Sequence, residues 1–236
     1  MKRVLFLIMA GFGTLGAAVF AAGGKASDTI VLGYMGPLSG PVAHYGTESR
    51  NGALLAVEEI NKAGGIGGRN LSFFNEDDEG NAEKTVNAFN LLVTRRKAQL
   101  IIGSSTSGPT IAVSDRAQAQ KILLLTPSGT AEAITTAGDY IFRACFIDPF
   151  QGVVGARFAY DTLGVRKAAV FFDNGNDYSA GLADSFRKEF ASKGGVIVSD
   201  ESYQTGEVDF NAQLTKMRAA APDVIFLPDY YQTVSL

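Results

Sequence analysis

Short runs of β-branched and aromatic residues alternate along this chain with longer stretches whose apolar positions recur every three or four residues. Residues 29–34, 71–75, 98–102, 122–125, 167–172, 196–199 and 223–227 read as strands. Between them, Ala53, Ala56, Val57 and Ile60 share one helix face, and Ala82, Val86, Phe89 and Val93 share another. The pattern returns with Phe150, Val154 and Phe158, with Leu182, Phe186 and Phe190, and with Phe210, Leu214 and Met217. These stripes are expected to be core. Apolar strands separated by helices imply a mainly parallel sheet covered on both faces, because parallel neighbours need a crossover that a helix supplies.

The alternation changes register once. Residues 140–142 read as a short strand, and Asp148-Pro149 reads as the start of a new helix. We therefore expect an α/β protein of two Rossmann-like lobes, over 22–147 and 148–236. Only nine residues follow the last expected strand, which leaves it without a covering helix, so the second lobe is expected to be incomplete.

The N-terminus sets the compartment. Lys2 and Arg3 precede an uncharged apolar run to Phe20, and small residues follow, which is the order of a secretory signal peptide. Gly11, Gly13 and Gly16 interrupt the run as a membrane span. Cleavage is expected after Ala21, and no cysteine lies near that point for lipid attachment. Removal takes two of the 21 basic residues and none of the 24 acidic ones. The chain left is mildly acidic, which argues against nucleic acid or an anionic membrane as partner. Gly11 to Gly16 also matches a dinucleotide-binding fingerprint, but inside the apolar leader, with no strand before it.

In open parallel sheets ligands sit beyond the carboxyl ends of the strands. That rule selects residues 35–45, 104–108, 126–130, 173–178 and 228–231. Ser104, Ser105, Thr106 and Ser107 follow a strand, and Pro109 suits the first position of the next helix. The free amides near Ser107 and Gly108, with the hydroxyls of Ser105 and Thr106, would face an anionic group such as a carboxylate. A simple helix cap is the competing reading, although capping needs one such residue rather than four. One strand along, Gly129 permits close backbone approach and Thr130 offers a hydroxyl that donates or accepts. Tyr45, Tyr178, Tyr230 and Tyr231 all follow strand ends, and each combines an apolar face with a polar tip.

Catalytic groups are scarce. His44 is the single histidine and Cys145 the single cysteine, which is expected to be a small buried apolar residue. No nucleophile elbow is present. Glu76 to Glu79 forms an acidic turn without the spaced ligands of a calcium loop, so a solvated loop is expected there. No enzyme activity, cofactor or metal is anticipated.

Gly36-Pro37-Leu38-Ser39-Gly40-Pro41, followed by Tyr45-Gly46, Ala56 to Asn61 and Gly64 to Gly68, resembles the opening of the periplasmic branched-chain amino acid binding proteins of ABC transporters. The resemblance continues through Asp77-Asp78, Ile102 to Ser105, Leu125 to Ser128, Tyr178 and Pro228 to Tyr231. It implies two lobes joined by a three-strand hinge that close on a ligand, and delivery to permease subunits in the inner membrane. By the same resemblance, Ser107 and Thr130 bind the α-carboxylate, while the Ser128 carbonyl and Thr130 hydroxyl receive the ammonium. Tyr45 and Tyr178 border the ligand side chain, and Tyr230 covers it. The acidic group that completes the ammonium site in that family is expected beyond Leu236. A sensor of the same fold, responsive to an amide or amino acid and uncoupled from transport, is the alternative.

Overall fold

A computed structural model describes residues 29–236; the expected leader over 1–21, with its glycine fingerprint, lies outside the described residues. The first lobe is a five-stranded sheet of β1 (Ile30–Gly36), β2 (Leu71–Asp77), β3 (Leu100–Ile102), β4 (Leu123–Thr126) and β5 (Ile141–Arg143). Every pairing is parallel, in the order β2-β1-β3-β4-β5. The second lobe repeats the start of that winding with β6 (Lys167–Asp173), β7 (Val196–Tyr203) and β8 (Val224–Phe226), parallel in the order β7-β6-β8. Helices α1 (Ala43–Lys62), α2 (Ala82–Thr94), α3 (Ser107–Gln120) and the single turn α4 (Ala133–Thr136) connect the first sheet. Helices α5 (Asp148–Arg157), α6 (Asp177–Ser192), α7 (Asn211–Ala220) and the short α8 (Tyr231–Val234) serve the second, and a π-helical turn, Phe158–Thr162, extends α5.

The order of both sheets follows from the crossover rule. The chain leaves β1, returns through α1 to one flank, then crosses to the other flank for β3, so strand order reverses beside β1. The same reversal flanks β6. At each reversal two loops diverge and leave a crevice at the carboxyl edge. The first core packs Met35, Phe89, Leu92, Ile101, Val113, Leu124 and Ile134, all with 0 % exposure. Each such side chain contributes about 1.5–3 kcal/mol by leaving water. The second centres on Val170, Phe186 and Phe190, with the Phe226 ring stacked 4.0 Å from that of Phe186.

Three expected stripes pack differently. Phe150, Val154 and Phe158 are 60 %, 48 % and 54 % exposed, and α5 with its π turn instead buries Gly152, Ala156 and Ala159. A Cβ on Gly152 would stand 2.5 Å from the Cβ of Ser185. The backbones of α5 and α6 approach too closely for a large residue between them, so the small-residue face wins the interface. On α1, Val57 is buried and Ala56 exposed; on α7, Met217 is buried and Leu214 exposed. Cys145 is half-buried, and its thiol donates to the Gly129 carbonyl at 3.4 Å.

The acidic turn is only partly solvated: Asp77 and Glu79 are exposed, and Glu76 and Asp77 end β2. Asp78 is fully buried. Asp77 ties down the loop after β1, accepting from the Leu38 amide at 2.8 Å, the Ser39 hydroxyl at 2.6 Å and the Glu79 amide at 2.9 Å. These bonds hold its carboxyl below the usual carboxylate range. Among the described residues, no group of three or more acidic, histidine or cysteine side chains could hold a metal, and no helix is long and apolar enough to cross a membrane.

Candidate ligand-binding site

The loop after β3 and the loop after β4 lie side by side because their strands are neighbours in register, with Ile102 opposite Leu125. Short hydrogen bonds weld them together. The Thr126 hydroxyl donates to the Ser104 carbonyl at 2.7 Å and accepts from the Gly129 amide at 2.9 Å. The Ser128 hydroxyl donates to the Ser105 carbonyl at 2.6 Å. The Ala131 amide donates to Ser107 Oγ at 3.2 Å, which brings the Ser107 hydroxyl against the residue after Thr130.

That last bond decides what Ser107 can do. Its oxygen already accepts from a backbone amide, so its own proton remains to be donated, as a carboxylate requires. Helix α3 begins at Ser107 after Thr106, so the amides of Ser107 and Gly108 are the first two of the helix. Pro109 is therefore third in the helix rather than first, which still costs no helical hydrogen bond. Thr106 makes no capping bond and its buried hydroxyl has no partner, while the Ser104 hydroxyl lies toward the buried Asp78 carboxyl. Four hydroxyl residues stand at this helix start, and none caps it in the usual way. Ser105 turns inward, 3.2 Å from the Tyr34 hydroxyl and 3.4 Å from Ser49 Oγ, and belongs to the packing beneath α1.

The second lobe supplies an aromatic wall. The Tyr178 ring, at the start of α6, stacks on the Tyr230 ring from the loop after β8, with centroids 5.0 Å apart. Tyr45 of α1 stands 5.7 Å from Tyr230 and 6.0 Å from Tyr231, so the lobes meet through four tyrosines. The Tyr231 hydroxyl donates to the Pro41 carbonyl at 2.7 Å, a direct bond between lobes. The Tyr230 hydroxyl lies within hydrogen-bonding range of the Ser107 amide. Burial raises the pKa of Tyr45, Tyr178 and Tyr230 above the ordinary phenol value, so all three are neutral donors at any physiological pH.

The structure thus brings together Ser107, Ser128 and Thr130 from one lobe and Tyr178 and Tyr230 from the other, with Tyr45 between, while Thr106 is buried with its hydroxyl unpartnered and Ser105 turns elsewhere. Sequence reasoning passed over three groups. Ser104 was grouped with its neighbours without a role of its own. Gln151, whose amide approaches the Tyr178 hydroxyl at 3.5 Å, carries no sequence signal. Asp148 was read only as a helix start, yet it is 2 % exposed beside Thr130, and its amide donates to the Thr130 carbonyl at 3.0 Å.

Two lobes of parallel sheet and helix, with amides and hydroxyls at the strand tips of one and aromatic rings from the other, define the class of two-lobed solute-binding proteins. The chain belongs to the periplasmic binding protein family, whose model matches residues 29–235. It is 33 % identical over 226 residues to a leucine-, isoleucine-, valine-, threonine- and alanine-binding protein of Pseudomonas aeruginosa, covering 95 % of this chain and 60 % of that one. It is 36 % identical over 217 residues to a Leu/Ile/Val-binding protein homologue of Brucella melitensis, covering 91 % and 58 %. The structure of the branched-chain amino acid transporter substrate binding protein LivJ from Streptococcus pneumoniae, in complex with isoleucine, superimposes with a TM-score of 0.79 at 36 % identity, covering 88 % of this chain and 61 % of that one. The chain therefore spans about three fifths of the length of these relatives.

Proposed function

We propose that this chain is the ligand-capturing part of an exported solute-binding protein that closes two lobes on an amino acid, of branched aliphatic type, and presents it to the permease of an ABC transporter. The observation that carries the reading is the Ser107–Ala131 bond. It leaves the Ser107 proton available beside the first amides of α3, at a point faced by tyrosines of the opposite lobe. A carboxylate there gains hydrogen bonds worth about 1.5–3 kcal/mol each without any arginine. In this reading Thr130 and the Ser128 carbonyl take the ammonium, and Tyr45, Tyr178 and Tyr230 enclose the side chain.

The compartment follows from residues 1–21 as a cleaved leader, which puts the protein in the periplasm. The relatives named for leucine, isoleucine and valine binding agree in ligand class with a site built for a zwitterion. The site binds and does not transform: it offers neutral donors and aromatic walls rather than a nucleophile paired with a base. The test is calorimetry of the full chain with leucine, isoleucine, valine and short amides, beside Ser107→Ala. Heat with branched amino acids that is lost in the variant is expected. No heat with any of them removes the amino-acid assignment.

A further inference from the structure

Among the described residues, Asp148 is a buried acid at the junction of the lobes. It is 2 % exposed, and neither carboxylate oxygen has a hydrogen-bond partner of good geometry. A carboxylate without partners is costly to bury, so its surroundings matter. The Thr130 hydroxyl lies close to it, and the Asp148 amide already holds the Thr130 carbonyl at 3.0 Å. From the other side α6 closes over it, where a Cβ on Gly181 would stand 3.3 Å from Asp148 Oδ2. The carboxylate is thus sealed between the ligand loop of the first lobe and a helix of the second. At 2 % exposure little of it reaches open space, so its influence on a ligand would pass through its neighbours.

We propose that Asp148 is a positioning residue that sets the direction of the Thr130 hydroxyl, and through it the preference of the site for ligands carrying an ammonium group. When ionised, a carboxylate only accepts, so Thr130 turns its proton toward Asp148 and presents lone pairs to the cleft. An ammonium, with three donors, matches that arrangement, and a ligand lacking the amino group does not. When Asp148 is protonated it can donate, and Thr130 loses its fixed direction. This inference rests on the amino-acid reading above for its ligand, and for the pairing on the buried, unpartnered carboxylate and the backbone bond that joins Asp148 to Thr130.

The groups facing Asp148 are few. Arg143 of β5 favours its charged form, while Cys145 and the Tyr178 phenol of α6 stand near it from either side. A cavity of about 530 Å³ adjoins it, where Glu132 from the first lobe meets Asp177, Asp184, Lys188 and Glu189 from α6. Burial outweighs Arg143 and raises the Asp148 pKa to about 6, so the switch in Thr130 falls within an accessible pH range.

The test uses the full chain and Asp148→Asn, with leucine and its deaminated analogue 4-methylpentanoate titrated by calorimetry at pH 5 and pH 7.5. The wild type is expected to prefer leucine most strongly at pH 7.5. The variant is expected to lose leucine affinity by about tenfold there, the loss of one charge-assisted hydrogen bond, with 4-methylpentanoate unchanged and the pH dependence gone. Equal weakening of both ligands, or an unchanged preference, overturns the proposal. A second measurement needs no ligand. The ¹³C carboxyl resonance of Asp148, assigned by its absence from the variant, is titrated in the wild type and in Thr130→Val. A higher midpoint in Thr130→Val supports the pairing, even if leucine gives no heat and the amino-acid reading falls. An unchanged midpoint overturns it.

Discussion

The rings of Tyr178 and Tyr230 lie 5.0 Å apart and within 9° of parallel, although 52 positions of sequence separate them. One opens α6 and the other follows β8, strands apart in the chain but joined at the reversal beside β6. The stack makes a flat apolar surface beside Tyr45 of the first lobe. Replacing Tyr230 by Ala removes that surface and is expected to weaken leucine binding by tenfold or more, on the order of 1.5 kcal/mol. Tyr230→Phe keeps the stack and is expected to stay within a few fold. Calorimetry on both variants checks the pair, and equal losses would show that the phenol rather than the ring matters.

Tyr231 bonds the Pro41 carbonyl across the cleft at 2.7 Å. A single such bond contributes about 0.5–1.5 kcal/mol, enough to shift the balance between open and closed forms severalfold. Tyr231→Phe is therefore expected to increase the radius of gyration of the ligand-free protein in small-angle scattering, with little change once ligand is added.

Asp148 also links stability to pH. Its folded pKa is raised from 3.8 to about 6, so the folded state holds a proton that the unfolded chain releases. Stability then falls as pH rises from about 4 to about 6, and the whole cost is present above that range. A shift of this size corresponds to roughly 3 kcal/mol. Asp148→Asn is expected to raise the melting temperature at pH 7.5, with a gain that shrinks below pH 5. A gain of equal size at pH 4 would exclude the charge as its cause.

Asp77 has the opposite sign. Its pKa is lowered by the hydrogen bonds it accepts from Leu38, Ser39 and Glu79, so it stabilises above the unfolded value near 4 and loses that contribution as pH falls through the folded one. The group is exposed, and screening limits its worth to about 1 kcal/mol. Asp77→Ala is expected to lower the urea midpoint at pH 7 and to match the wild type at pH 2.5.

Gly46 tests the packing under the loop after β1. A Cβ there would stand 2.0 Å from the Pro37 carbonyl oxygen, and the Gly46 carbonyl accepts from the buried Tyr34 hydroxyl at 2.6 Å. Gly46→Ala should cost about 2–4 kcal/mol, since backbone must move to admit it. Denaturation against Gly52→Ala, a helical glycine with open space around it, isolates the effect.

Much of this protein was legible in the residue order. Runs such as 167–172 and stripes such as Leu182, Phe186 and Phe190 specify strands and helices because burial rewards one periodicity at a time. Their alternation dictates parallel sheets, and the loops at the strand tips then name Ser107, Thr130, Tyr178 and Tyr230 as neighbours. Tertiary structure decided what periodicity cannot express. Phe150, Val154 and Phe158 keep perfect helical spacing and still lie outside, because the closeness of α5 to α6 admits only Gly152 and Ala156. Ser105 and Ser107 are chemically alike, but the backbone turn at the head of α3 aims one at Tyr34 and the other at Ala131. Asp148 looks like any acidic helix start until two lobes close over it. Which face is buried and which proton is free depend on distances between segments far apart in the chain, and local order carries no record of those distances.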